Sequence, residues 1–233
     1  MKNERHNDVE QTNDFRPAER EHLSLLSAIE KKTLLWIAQR LPAWVNPDHL
    51  TALGFVSLIA VGLSYGYSRW SKAGLWLAIG FFILNWFGDS LDGTLARVRQ
   101  RQRPRYGFYV DHVLDACGSV FVFAGLAMSG YMSERVAVGL LVAYFLLSIE
   151  VYLATYTVGK FQLSFAMFSP TELRLLLIAG NIALLRGASV MIAGKHYLLF
   201  DVGGVIGIAG ITIAFLWSMA KHTAHLYREE RLL

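Results

Sequence analysis

Residues 88–118 read GDSLDGTLARVRQRQRPRYGFYVDHVLDACG, and they place four aspartates where two apolar segments meet, with five arginines between the acidic pairs. Asp89 and Asp92 are three apart, and Asp111 and Asp115 are four apart. On a helix, either spacing puts both members of a pair on one face. Pro104 and the basic run turn the chain between the pairs. Two antiparallel helices are therefore expected, with all four carboxylates facing one point.

The rest of the chain says what those helices lie in. Of 233 residues, 54% are hydrophobic and 17% are charged. That is too apolar for an ordinary soluble domain of this length, and the long apolar runs point to membrane spans. The runs do not alternate apolar and polar residues, which excludes a membrane β-barrel. The expected fold is all-α and polytopic: six transmembrane helices preceded by an interfacial amphipathic helix. The spans are placed near 50–67, 73–91, 107–129, 136–156, 171–191 and 198–220. Each has about the 17–25 residues that cross ~30 Å of hydrocarbon. Asn181 and Arg186 interrupt the fifth.

Ahead of the spans, Leu25, Leu26, Ile29, Trp36, Ile37 and Leu41 recur at helical spacing, with charged and polar residues opposite. This segment reads as an amphipathic helix in the membrane interface, the alternative being a helix packed on protein. Residues 1–22 have no apolar core and no small-residue cleavage site, so they read as a solvated tail and not as a signal peptide. The expected organisation is a tail over 1–22, a juxtamembrane helix and turn over 23–47, a six-helix domain over 48–221 and a second tail over 222–233. Cys117 is the single cysteine, so no internal disulfide forms.

Lys and Arg are distributed unequally between the connections: 17 fall on one side and 5 on the other. The positive-inside rule puts both termini and the aspartate-rich loop in the cytoplasm.

Four carboxylates converging in a partly dry site repel one another and take up protons or cations. An all-oxygen donor set favours hard ions, namely Mg²⁺, Mn²⁺ or Ca²⁺. Two such ions in one site suit chemistry on a phosphate ester or anhydride, and the nearby arginines suit a phosphate-rich substrate. Gly93 and Ala96 keep the helix surface low beside the acids, and Arg97 lies about one turn beyond Gly93. A lone acid at a helix end is usually a cap, and an arginine run is usually a topology signal. Two in-phase acidic pairs with small residues between them are not explained that way.

The stretch resembles the signature of the CDP-alcohol phosphotransferases, D-x-x-D-G-x-x-A-R followed by G-x-x-x-D-x-x-x-D. Here it is Asp89, Asp92, Gly93, Ala96, Arg97, then Gly107, Asp111 and Asp115. The spacer over 98–106 is one residue longer than is usual in that family. The resemblance implies that Asp89, Asp92, Asp111 and Asp115 hold Mg²⁺ or Mn²⁺, as two ions. It also implies that Asp115 is the general base on the acceptor hydroxyl, and that Gly93, Ala96, Arg97 and Gly107 border the cytidine nucleotide. In "NPDHLTALGF", residues 46–55, the start of the span resembles the family's P-N-x-x-T, with Asp48 where Asn is common, and Asp48 and Thr51 would help hold the nucleotide. The other reading of Asp48 is a helix cap.

Three further features stand outside the signature. In "SPTELR", residues 169–174, Ser169, Pro170 and Glu172 form a capping arrangement. That puts Arg174 at the cytoplasmic mouth of a span, where an acceptor or lipid phosphate would bind. Glu150 lies inside the fourth span and is expected to shape the acceptor pocket or bond a neighbouring helix. His112 reads as structural.

The expected activity is transfer of a phosphatidyl group from CDP-diacylglycerol to a small polar alcohol, releasing CMP. One alternative reverses the partition and donates a CDP-linked head group to diacylglycerol. Another, from a different class, is a cation transporter or channel. The partners expected are CDP-diacylglycerol, the alcohol, membrane lipids and a second copy of the chain, with no nucleic acid. The expected location is a bacterial inner membrane.

Overall fold

The computed structural model describes residues 27–158 and 170–230. Its elements in chain order are α1 (Ser27–Ala38), α2 (Pro47–Ser68), α3 (Ala73–Val98), α4 (Pro104–Ser129), α5 (Glu134–Val158), α6 (Pro170–Arg186), β1 (Ser189–Ile192), β2 (Lys195–Leu198) and α7 (Leu199–Glu229). The 1–22 tail and Ser169 of the capping arrangement lie outside the described residues, as does the Glu172 side chain.

Local chemistry sets the helix starts nearest the acids. Asn46 is extended (φ −103°, ψ 158°) and Pro47 opens α2, where its missing N–H costs nothing. The Asn46 N–H donates to His49 Nδ1 at 3.3 Å, three residues on. The cap position thus belongs to Asn46, not to Asp48. Pro104 opens α4 in the same way. Between α3 and α4 the chain folds back tightly: the Arg101 N–H donates to the Ala96 carbonyl at 2.9 Å, and Gln100 takes a positive φ of 54°.

Among the described residues, five helices, α2, α3, α4, α5 and α7, are long and apolar enough to cross a membrane. The fifth expected span needs correction. Helix α6 ends at Arg186, and the residues from Ser189 to Leu198 form an antiparallel hairpin instead of continuing it. Ala193 and Gly194 both take positive φ at its turn, as a two-residue hairpin requires. The 17 described residues of α6 extend about 26 Å, at the lower limit for a span. Helix α7 starts at Leu199 and runs to Glu229, well past the expected end at 220.

Helix α2 lies between α3 and α4; α1 and α6 pack on α3; α5 joins α4 to α7. The α2–α3 seam is very close beside the acids. A Cβ on Gly88 would come within 2.6 Å of the Leu50 carbonyl and 2.7 Å of the Gly54 nitrogen. Only glycine lets the two backbones approach so nearly.

Two apolar clusters flank that seam. One gathers Val61, Tyr65, Leu75, Ala78, Phe82 and Leu126 with their neighbours. The other joins Leu34, Ala38 and Val45 to Leu50, Leu91 and Leu95. Helix α1 buries Leu34 and Ala38 against protein, as the packed-on-protein alternative expects, and leaves Trp36 exposed. The stretch of α2 and α3 between the clusters carries the polar residues.

Candidate active site

Helix α3 continues through Asp89 and Asp92, so their three-residue spacing keeps both on the inner face. Helix α4 does the same for Asp111 and Asp115. Carboxylate oxygens of Asp89, Asp111 and Asp115 all lie within 4.8 Å of one another. Asp92 lines the same cavity, together with Thr51, Gly54, Phe55, Asn85 and Leu114. Of the four acids expected to converge, three are thus close together and Asp92 shares the cavity they line.

Asp92 is held from α2. Thr51 Oγ1 donates to Asp92 Oδ2 at 2.6 Å, and the Gly93 N–H contacts Asp92 Oδ1. Asp89 is held from α6: Arg174 Nη2 donates to Asp89 Oδ2 at 2.6 Å. The Arg174 side chain is only 12% exposed and that of Asp89 23%, so the pair is partly shielded from solvent. Arg174 thus reaches the acids themselves.

The other sequence-predicted residues divide into two groups. Gly93, Ala96 and Arg97 lie near the end of α3 and Gly107 in the first turn of α4, and none of them is among the described residues that line the cavity. Arg97 Nη2 donates to Thr94 Oγ1 at 3.1 Å. A Cβ on Gly107 would meet no described atom within 4 Å, and one on Gly93 would meet only Arg97 Nη1, at 3.6 Å. The fold itself does not require glycine at either position. Asp48 stands apart from the acidic cavity and pairs with Arg103, whose guanidinium lies over the Tyr106 ring. That hydrogen bond raises the Arg103 pKa above its ordinary value.

Glu150 does not line the cavity. Its carboxylate takes a hydrogen bond from Ser218 Oγ at 2.8 Å and lies 2.7 Å from His222 Nδ1, both on α7. It joins α5 to α7. His112 Nδ1 lies 2.6 Å from the Phe108 carbonyl and 3.9 Å from Asp111 Oδ2, and its ring is edge-on to Tyr152.

Several residues near the site escaped the sequence reading. Tyr144, Ser148 and Tyr152 form a stripe on α5, with Tyr144 and Tyr152 in electrostatic range of Asp115. Their four-residue spacing was the available signal. Arg99 belongs to the run read as a topology signal, yet its guanidinium donates to the carbonyls of Leu41, at 3.1 Å, Pro42, at 2.8 Å, and Val45. It ties the α1–α2 turn to the end of α3. Asn85, one turn before Asp89, was readable only as a polar residue inside an apolar span.

The donor set is all oxygen and anionic, which fits a hard divalent cation. Arg174, hydrogen-bonded to Asp89, adds a cation that suits a phosphate group.

Comparison with known proteins identifies a family and a shared fold. The family model for CDP-alcohol phosphatidyltransferase matches residues 44–220. Phosphatidylinositol phosphate synthase of Cutibacterium acnes is 34% identical over 88 residues, 38% of this chain and 40% of that protein. Archaetidylinositol phosphate synthase of Pyrococcus horikoshii is 26% identical over 120 residues, 52% of this chain and 57% of that protein. Cholinephosphotransferase 1 of Danio rerio is 34% identical over 97 residues, 39% of this chain and 25% of that protein. The chain thus spans less than two thirds of the length of these curated relatives. The crystal structure of Mycobacterium tuberculosis phosphatidylinositol phosphate synthase with CDP-DAG bound superposes with a TM-score of 0.61 at 19% identity, covering 82% of this chain and 94% of that one. At that identity the likeness shows a shared fold.

Proposed function

The chain belongs to the CDP-alcohol phosphatidyltransferase family, and from that membership we propose that it transfers a phosphatidyl group from CDP-diacylglycerol to a small polar alcohol, releasing CMP. The observation that carries the reading is the convergence of Asp89, Asp111 and Asp115 within 4.8 Å, on the positions of the family signature. Asp89, Asp92, Asp111 and Asp115 would hold one or two Mg²⁺ or Mn²⁺ ions. When bound, the cations would supply positive charge opposite the donor pyrophosphate and the departing CMP.

The chain's own residues would do the rest. Asp115 would accept the proton of the acceptor hydroxyl as its oxygen attacks the phosphorus bearing the lipid. Thr51 and Asp48 would flank the nucleotide from the start of α2. Gly93 and Gly107 would leave its path open, and Ala96 and Arg97 would line it. Arg174, already beside Asp89, would bind a phosphate on the acceptor or lipid. Glu150 would act on the acceptor side only through the packing of α5. The protein would work as a homodimer in a bacterial inner membrane, with the cavity and both termini facing the cytoplasm.

The similarity to a cholinephosphotransferase keeps a second reading, in which a CDP-linked head group passes to diacylglycerol. One experiment separates them. Purified protein is given labelled CDP-diacylglycerol with a panel of alcohols, or labelled CDP-choline or CDP-ethanolamine with diacylglycerol, each with Mg²⁺ or Mn²⁺ and with EDTA. The proposal expects a labelled phospholipid from the first donor alone, lost with EDTA. Product from the second donor alone favours the alternative, and product in EDTA contradicts the cation role.

A further inference from the structure

Asn85 is 1% exposed, lines the acidic cavity and stands four residues before Asp89 on the same face of α3. Four residues are about 6 Å along a helix, so Asn85 lies one turn deeper in the bundle than Asp89. Its Nδ2 donates to the Gly54 carbonyl at 3.0 Å. That bond fixes the orientation of the amide, because the reversed amide would set its oxygen against a carbonyl oxygen. Asn85 Oδ1 then has no hydrogen-bond partner among the described residues. Buried acceptors are nearly always paired, so one left over beside a cavity calls for a donor that is not part of the protein.

With its carboxylates ionised, as a bound cation would keep them, the cavity wall has no donor to spare. Ionised carboxylates only accept, and the Thr51 hydroxyl is already directed at Asp92 and at the Pro47 carbonyl. Phe55 and Leu114 are apolar. A water bound to a divalent cation is a strong donor, and a hard cation held by a few carboxylates keeps several waters. An amide oxygen orients such a water without adding a fifth negative charge.

We propose that Asn85 is a positioning residue of the cation site, its Oδ1 taking a hydrogen bond from a water of the cation held by Asp89, Asp111 and Asp115. The inference rests on the cation reading of the cavity given above. Partners outside the ligand shell commonly change metal affinity by about 10–100-fold. Asn181 is the natural control: it is also fully buried, also has an unpartnered Oδ1, but does not line the cavity.

The experiment is Mn²⁺ binding to the full chain in detergent, without substrate, read by electron paramagnetic resonance as affinity and as the number of bound waters. Asn85→Leu is expected to bind Mn²⁺ about 10-fold or more weakly, and with altered hydration. Asn181→Leu is expected to bind as the parent does. Asn85→Asp, which keeps an acceptor oxygen there, is expected to bind at least as tightly as the parent, and it decides the matter if Asn85→Leu does not fold. Unchanged Mn²⁺ affinity in Asn85→Leu, equal weakening in Asn181→Leu, or weaker binding by Asn85→Asp would each overturn the inference. A parent chain that binds no Mn²⁺ would overturn the cation reading itself, which is a distinct result.

Discussion

Arg174 Nη2 lies 2.6 Å from Asp89 Oδ2, tying α6 to the acidic pair of α3 although 85 residues separate them in sequence. The contact gives an arginine direct access to the carboxylate cluster. It also brings a positive charge from α6 to the site.

Replacing that charge should therefore affect the acceptor more than the donor. A charge-assisted hydrogen bond contributes roughly 1.5–3 kcal/mol. Arg174→Gln is expected to raise the KM for a phosphorylated acceptor by about 10-fold or more, with the KM for CDP-diacylglycerol little changed. Steady-state kinetics with each substrate varied in turn checks this. An unchanged acceptor KM would remove Arg174 from the acceptor site.

Thr51 holds Asp92 from the neighbouring helix at 2.6 Å. Thr51→Val keeps the shape but deletes the hydroxyl, and it is expected to lower CMP release by roughly 10-fold, in keeping with the loss of one hydrogen bond to a charged group. Thr51→Ser is expected to retain most of the activity. Equal losses in both variants would point to packing of the methyl group instead of the hydrogen bond.

Gly107 offers a test in which stability and binding come apart. No described atom lies within 4 Å of a Cβ built there. Gly107→Leu is expected to leave the melting temperature in detergent unchanged or slightly raised, since helix propensity improves. It is expected to raise the KM for CDP-diacylglycerol severalfold if the nucleotide passes over that position. A normal KM would take Gly107 out of the nucleotide path.

Glu150 should behave in the opposite manner. Its carboxylate joins Ser218 and His222 of α7, so Glu150→Ala removes the hydrogen bonds between α5 and α7 made by a charged group, at a cost of about 1–3 kcal/mol. The expected outcome is a lower melting temperature with both KM values near those of the parent. A raised acceptor KM at unchanged stability would instead place Glu150 in the acceptor pocket.

The acidic core of the site was readable because helical periodicity acts over three or four residues. Asp89 and Asp92, then Asp111 and Asp115, needed only that their helices continue. What could not be read was how far they continue. Helix α3 runs on to Val98 because α1 covers its last turns, burying Leu91 and Leu95 against Leu34 and Ala38. The fifth span was overextended because Val190 and Ile192 look like membrane residues, whereas positive φ at Ala193 and Gly194 turns them into a hairpin. Arg99 and Asn85 were opaque for a different reason: their partners, the turn after α1 and the Gly54 carbonyl, are remote in sequence, and no local pattern announces them. Asp48 carried a cap signal, but Asn46, two residues earlier, holds that position.

The account stands or falls on Asp115 as the base of a cation-dependent transfer. The direct measurement is CMP release by the purified chain from CDP-diacylglycerol, with Mn²⁺ and the acceptor that gives product, for the parent and for Asp115→Asn. Metal-dependent release by the parent, reduced by at least about 100-fold in a folded Asp115→Asn, is the expected result. Comparable release by the two proteins would contradict it.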